Sequence, residues 1–550
     1  MNHLIQMKIS RFYFLSIILV LFLTQFLYPQ NHIDIDPNAI ERHMNFLASD
    51  IFEGRGTGTT GGNLAAKYIA QEFSEYGLGA IGDGNTYYQY VPMHGSYHLS
   101  TSKLTLYVQE DTLLLKLDED YLLYKTGQQT FVPIPTSSVF VGYGIIAPEY
   151  DYNDYLDIDV VGKIVVFLDG EPYSEDEEYF EGNIPSLYSY PESKQRIAAS
   201  RGAAGSIILS SDNELNWNEL IVDFSFEDVT LAYSASSFFS VLLNPKVYHI
   251  LFQNSEYSFE NVLEMKTTNS IKSFNLNSKF SFWGEFKQRD FVSPNIVGFV
   301  EGSEDDLKDS YLIISAHYDH LGIGLPVAGD SIYNGALDNA IGVSVLLELA
   351  RSFSELEKTP GRSILFLCVT AEEKGLLGST YYIDHPIVPL HKTIANINID
   401  GVAFFRDFAS IVAIGSEYST MDGFVNKIAG NLNLTVEKIP DPFNQYEAFN
   451  RSDQISFASG GIPSLLILEG LKNKSKSEAE VLNSFISYME NKYHTPFDDL
   501  NQSIDYEAAV NFTKVLYDLI WELASSDTLP EWKEGAPYIH ERLRTIAEDK

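Results

Sequence analysis

Apolar residues recur along this chain with two different periods, and the change of period marks out its parts. Near the start, Ile40–Leu47 reads as a short helix, and Leu64, Ala65, Tyr68, Ile69 and Phe73 place an amphipathic helix over 62–76. Between them lies a glycine-rich run, Glu53–Gly62. It lacks both the Lys-Ser/Thr ending and the preceding apolar strand of a phosphate cradle, so a flexible surface loop is expected. Residues 86–135 alternate as strands with tyrosine-rich faces. Strands at 139–145, 163–168 and 205–209 then accompany a helix at 194–204, and short β-type runs fill 220–290. From Asn295 the pattern shifts to long apolar strands at 296–300, 311–317, 363–371, 393–399 and 463–468, with helices at 342–353 and 505–524. Alternation of this kind predicts an α/β fold, a mainly parallel mixed sheet covered by helices on both faces. No internal repeat or low-complexity tract interrupts it.

In such sheets ligands gather at the carboxyl ends of strands. His317, Glu372, Glu373 and Asp400 all fall at those ends, and Asp338 opens the helix that returns from the first of them. The mainly apolar run Ser363–Ala371 closes on two adjacent glutamates. A buried strand ending in two carboxylates carries a desolvation penalty unless a cation compensates it, and a metal ion is the simplest cation. One glutamate is then free to bind it and the other to handle protons; the residues alone do not decide which. Singly, each candidate has a bland reading: a lone histidine is a hydrogen-bonded polar residue, and Asp338 a turn or helix cap. Together, His317, Asp338, Glu373, Asp400 and His494 offer two imidazoles and three carboxylates, a donor set that suits zinc. Five protein ligands exceed what one catalytic zinc takes with an open position, so two metals sharing a carboxylate fit better.

Composition bounds this picture. With 550 residues, 45% hydrophobic and 20% charged, the chain is folded and long enough for two to four domains. Lys8 and Arg11 precede the apolar stretch Phe12–Leu23, a flank and length that predict a signal peptide over 1–30 and export to a secreted, periplasmic or cell-surface location; no clear small-residue cleavage site follows Leu23, so an uncleaved anchor is the alternative. No later segment is long and apolar enough to span a bilayer. Cys368 stands alone and makes no intrachain disulfide; it reads as a small buried hydrophobe. A net charge of −38 makes a surface that repels nucleic acid and anionic membranes, so no nucleic-acid partner is expected.

Ser315–His320, Asn334–Gly342, Ala371–Ser379, Asn398–Asp400 and Tyr493–Pro496 resemble, in order and spacing, the successive motifs of the M28 family of zinc aminopeptidases. Leu47–Gly56 resembles the start of that fold, and 136–212 more loosely resembles the protease-associated domain that secreted members carry as an insertion. The resemblance implies a zinc-exopeptidase (phosphorylase/hydrolase-like) architecture with a mostly β insertion. Its parts would be 36–125 as the N-terminal portion of the peptidase fold, 130–285 as the insertion and 290–530 as the catalytic domain.

Position by position, the resemblance implies two zinc ions bridged by Asp338, one completed by His317 and Asp400 and the other by Glu373 and His494. Glu372 would be the general base, taking a proton from the attacking water and delivering it to the leaving amine. Asp319 would orient the imidazole of His317, and Tyr493 would donate a hydrogen bond to the developing oxyanion. A cis peptide is implied between Asp338 and Asn339. Arg451 and Asp453 resemble a segment near the substrate entrance and are substrate-binding candidates. Leu337 and Ile341 depart from the family pattern, where a second acid and a serine are usual; neither is an inferred ligand. The function implied is removal of N-terminal residues from peptide substrates. The alternatives are a carboxypeptidase of the same superfamily, which needs a cationic pocket for the terminal carboxylate, and a non-catalytic peptide-binding protein.

Overall fold

The computed structural model describes residues 35–548 apart from 125–129, 177–178, 181, 183–185, 187, 212–214, 402–404 and 440–447. The expected signal peptide lies outside these residues. Among the described residues no helix is long and apolar enough to cross a membrane.

Two sheets organise the chain. The larger has ten strands among the described residues. Its centre is parallel: Ser363–Val369, Tyr311–His317, Thr393–Asn398 and Ser464–Glu469 lie side by side in that order. Every residue of Ser363–Val369 is buried, which is why that strand reads as a continuous apolar run rather than an alternating one. Cys368 is fully buried within it, and burial pushes its thiol up. The helix Ile341–Ser354 and the helix Tyr506–Ser525 pack with this sheet in one large apolar core that includes Ile314, Leu346, Phe353, Phe366, Leu516 and Ile520. A smaller core around Leu365, Leu367, Tyr382 and Phe457 includes the strand's other side chains. Helices therefore cover both faces, as the alternating pattern implies. Because the four central strands are parallel, their carboxyl ends share one edge, and the loops leaving that edge meet.

On the other side of Ser363–Val369 the sheet continues antiparallel through Phe286–Val300, Tyr88–His98 and Asp228–Leu231. The second sheet has eight strands, in the order Asp111–Leu115, Lys103–Val108, Phe274–Trp283, Phe131–Phe140, Ile164–Leu168, Gly205–Leu209, Phe239–Leu243 and Tyr121–Leu123, around its own core. This differs from the expected boundaries at both ends. Strands at 103–123, expected in the N-terminal part of the peptidase fold, pair within the second sheet. Asp228–Leu231, expected inside the insertion, pairs with Tyr88–His98 at the edge of the first. The stretch 220–290 also holds the helix Phe259–Thr267, begun by a Ser258–Asn261 capping box, where only short β-type runs are expected.

The glycine-rich run is not a flexible surface loop. Gly54, Arg55, Gly56 and Thr57 are buried. Gly54 has φ +66, and a Cβ there would lie 2.3 Å from the carbonyl oxygen of Tyr333, so the run packs tightly under the hairpin of Gly322–Val327 and Asp330–Tyr333. Thr59 caps the helix Thr60–Glu75 by accepting from the Gly62 N–H.

Candidate metal centre

His317 ends its strand, Glu372 and Glu373 follow theirs by three and four residues, and Asp400 follows Thr393–Asn398 by two. The shared edge thus delivers them to one place, and Asp338 arrives from the turn before Ile341–Ser354. That turn is tight: the Asp338–Asn339 peptide is cis, and Gly335, at φ +59, leaves no room for a Cβ, which would meet the Asp338 carbonyl oxygen at 2.0 Å and the His320 ring at 2.5 Å. Asp498 holds the turn from outside, accepting from the backbone N–H groups of Leu337 at 3.0 Å and Asp338 at 3.0 Å. Asn339 ties it to the Asp400 loop, donating to the Ile399 carbonyl and accepting from the Gly401 N–H.

The result is a compact cluster. His317 Nε2 lies 3.3 Å from both Asp338 Oδ1 and Asp400 Oδ1. His494 Nε2 lies 3.1 Å from Glu373 Oε2 and 3.4 Å from Asp338 Oδ2, yet it meets hydrogen-bond geometry with neither. Asp338 therefore presents one oxygen to each imidazole. Donor atoms of His317, Asp338 and Glu373 lie within 4.8 Å of one another, as do those of His317, Glu372 and Asp400. Zinc bonds of about 2.0–2.1 Å in a tetrahedron put neighbouring donors roughly 3.3 Å apart. His317 Nε2 and Asp400 Oδ1 are within hydrogen-bond geometry of each other, while the spacings and the orphaned His494 nitrogen fit donors arranged around a common centre. The residues fit a metal.

Their electrostatics agree. Burial pulls the His317 imidazole down, but Glu372, Asp338 and Asp400 outweigh it and hold it well above its ordinary range. His494 is raised in the same way by Glu373 and Asp338 against its own burial. Asp338 is held well below the carboxylate range because His317, His494 and His320 overcome the cost of burial. Glu373 is likewise held low, His494 and His320 overcoming burial. Glu372 behaves in the opposite sense: burial, with Asp400, Glu373 and Asp453 nearby, pushes it well above the usual range. Two adjacent glutamates thus sit in different environments, one matched by imidazoles and one surrounded by acids.

The remaining candidates divide. Asp319 is fully buried, but its carboxylate does not hold His317. The His317 Nδ1 pairs with the Asp319 backbone carbonyl at 3.2 Å, while the carboxylate accepts from the Glu372 N–H and the Thr57 hydroxyl, each at 3.1 Å. Tyr493 stacks on His494, ring centroids 3.9 Å apart, and remains 37% exposed. Asp453 is fully buried, and neither of its oxygens has a hydrogen-bond partner. The nearby Ser379 hydroxyl is committed to the Leu376 carbonyl and to Ser456. Burial, with Asp400 and Asp319 close by, pushes Asp453 up to about 7 against the pull of His317. Arg451 is exposed.

One member of the cluster is not singled out by the sequence reading. His320 is fully buried, donates from Nδ1 to Glu373 Oε1 at 2.6 Å, and lies 3.9 Å from Asp338 Oδ2. It occupies one Glu373 oxygen and leaves the other toward His494. Its place directly after His317–Tyr318–Asp319, on the same strand-end loop, was the available signal.

Imidazoles and carboxylates thus gather beside the strand ends of a helix-covered α/β sheet, in groups that could hold a metal ion. Residues 295–520 match the model of peptidase family M28. The chain is 29% identical over 210 residues to aminopeptidase YwaD of Bacillus subtilis, a match covering 38% of this chain and 40% of that protein. Over 111 residues it is 33% identical to the glutamate carboxypeptidase 2 homolog of Caenorhabditis elegans, covering 19% of this chain and 13% of that one. The match thus spans less than half the length of either curated relative. The fold is that of the aminopeptidase from Aneurinibacillus sp. strain AM-1, at 20% identity and a TM-score of 0.54, with 90% of this chain and 95% of that one covered.

Proposed function

We propose that the chain is an exported di-zinc aminopeptidase that removes N-terminal residues from peptides. The observation that carries this reading is the division of the cluster around Asp338, one of whose oxygens faces His317 and the other His494. His317, Asp338 and Asp400 would hold one zinc; Asp338, Glu373 and His494 would hold the other. When bound, zinc supplies Lewis acidity, polarising the scissile carbonyl and making water acidic enough to attack it.

The chain's own residues do the rest. Glu372 is close to the cluster, and its backbone N–H is fixed by the Asp319 carboxylate. Its place within reach of His317 and Asp400 suits a group that accepts a proton from the attacking water and passes it to the leaving amine. Glu373, with Oε1 held by His320, presents Oε2 toward the ligand set. Tyr493, stacked on His494, donates to the developing oxyanion. The acidic surroundings favour a substrate whose free amine is cationic. Asp453, and Arg451 beside it in sequence, are the remaining candidates for substrate contact.

The test uses paired reporter substrates on the zinc-loaded protein. Aminoacyl reporters with a free amine are cleaved and their N-blocked counterparts are not. Cleavage confined to N-blocked peptides with a free carboxylate would replace this reading with the carboxypeptidase one.

A further inference from the structure

Arg55 is 1% exposed, yet its hydrogen bonds run to backbone carbonyls rather than to a carboxylate partner. Nε donates to Tyr318 at 2.8 Å, Nη1 to Leu47 at 3.0 Å and Asn334 at 2.5 Å, and Nη2 to Gly335 at 2.8 Å, with Asp338 at 3.5 Å. Tyr318 lies between His317 and Asp319. Asn334, Gly335 and Asp338 form the tight turn before the helix Ile341–Ser354. One rigid guanidinium therefore clamps the loop that carries His317 to the turn that carries Asp338, two residues whose donor atoms must converge to 3.3 Å. The fork geometry matters, because a lysine ammonium is a point charge and cannot span these carbonyls with one plane.

The charge matters as well. Burial pulls Arg55 down to about 10, and Asp338, Asp498, Asp319 and Glu373 oppose that pull. A buried cation without a carboxylate of its own is costly and carries little net stability. Here it faces the acids of the metal centre from behind. Arg55 is itself in the left-handed region, at φ +51, inside the buried glycine-rich run, so the backbone is shaped to deliver this side chain inward.

We propose that Arg55 is a positioning residue of the metal centre: its guanidinium sets the separation of the His317 and Asp338 loops and lets their acids share a buried site. This rests on the metal-binding reading above. Arg55→Lys keeps the charge and loses the fork; Arg55→Gln loses both. Zinc affinity of the metal-stripped protein, measured by chelator competition, is expected to weaken about 10-fold in Arg55→Lys and up to about 100-fold in Arg55→Gln. Far-UV circular dichroism should be unchanged, and the visible bands of the cobalt-loaded protein should shift. A variant that folds only with zinc added supports the proposal, since binding then drives folding. Wild-type zinc affinity and cobalt bands in both variants overturn it, and so does failure of both to fold even in excess zinc, which would make Arg55 a structural brace alone. A wild-type chain that binds no zinc defeats the metal reading itself, an outcome distinct from either.

Discussion

The two sheets place polar side chains at the carboxyl ends of parallel strands in the same way, but they satisfy them differently. In the smaller sheet, Asp169 follows Ile164–Leu168 and Ser210 and Ser211 follow Gly205–Leu209. The Asp169 carboxylate accepts from both hydroxyls at 2.8 Å and from the Ser211 N–H at 2.9 Å. The fully buried Lys194 donates to the carbonyls of Leu168 and Gly170. These groups have partners within the protein. Beside the larger sheet, His320 and His494 each keep a buried Nε2 with no hydrogen-bond partner, and both Asp453 oxygens are orphaned. Buried polar groups are nearly always paired, so an unpaired set of imidazoles and acids at a sheet edge points to something that completes it. The same topology serves as structure in one sheet and as a site in the other.

The sharpest way to break this comparison is Glu372→Ala. Loss of a general base costs about 10²–10⁴ in turnover, and steady-state kcat on an aminoacyl reporter should fall in that range; a variant with wild-type kcat removes Glu372 from the mechanism.

A smaller effect sharpens the other side. Burial pulls Lys194 down to about 7 from an ordinary value of 10.5. Between those pH values the unfolded chain binds more protons than the folded one, so stability rises with pH across the window, and the penalty is fully present below it. From pH 7 to 9 the gain is about 2–3 kcal/mol. Urea unfolding of the wild type should show that slope and Lys194→Met should lack it, with no change in zinc content; equal slopes would show that Lys194 is not buried as charge.

Much of the larger sheet is legible in sequence because strands buried on both faces leave uninterrupted apolar runs. Tyr311–His317 is found where 311–317 is expected, and Ser363–Val369 ends two residues earlier than expected. The carboxyl-end residues follow from that. Which sheet a period-two strand joins is not local information: Tyr88–His98 and Lys103–Val108 alternate alike, and only pairing with Phe286–Val300 or Phe274–Trp283 separates them. Glu478–Asn491 was within reach, since Ser477 and Glu480 form a capping box. Arg55, Asp498 and Asn339 were not. Each acts on backbone groups that the fold brings to it, Arg55 on Leu47 and on residues 263 to 283 positions away. Asp319 meets the His317 imidazole through its backbone carbonyl, while its carboxylate reaches across to the next strand's loop.

On the proposed reading, the edge cluster would hold two zinc ions with Asp338 shared between them and Glu372 off the metal. Elemental analysis after chelator stripping and zinc reloading tests it most directly. The account predicts two zinc ions per chain in the wild type and two in Glu372→Ala. One zinc per chain in the wild type, or a loss of zinc on removing Glu372, would contradict it.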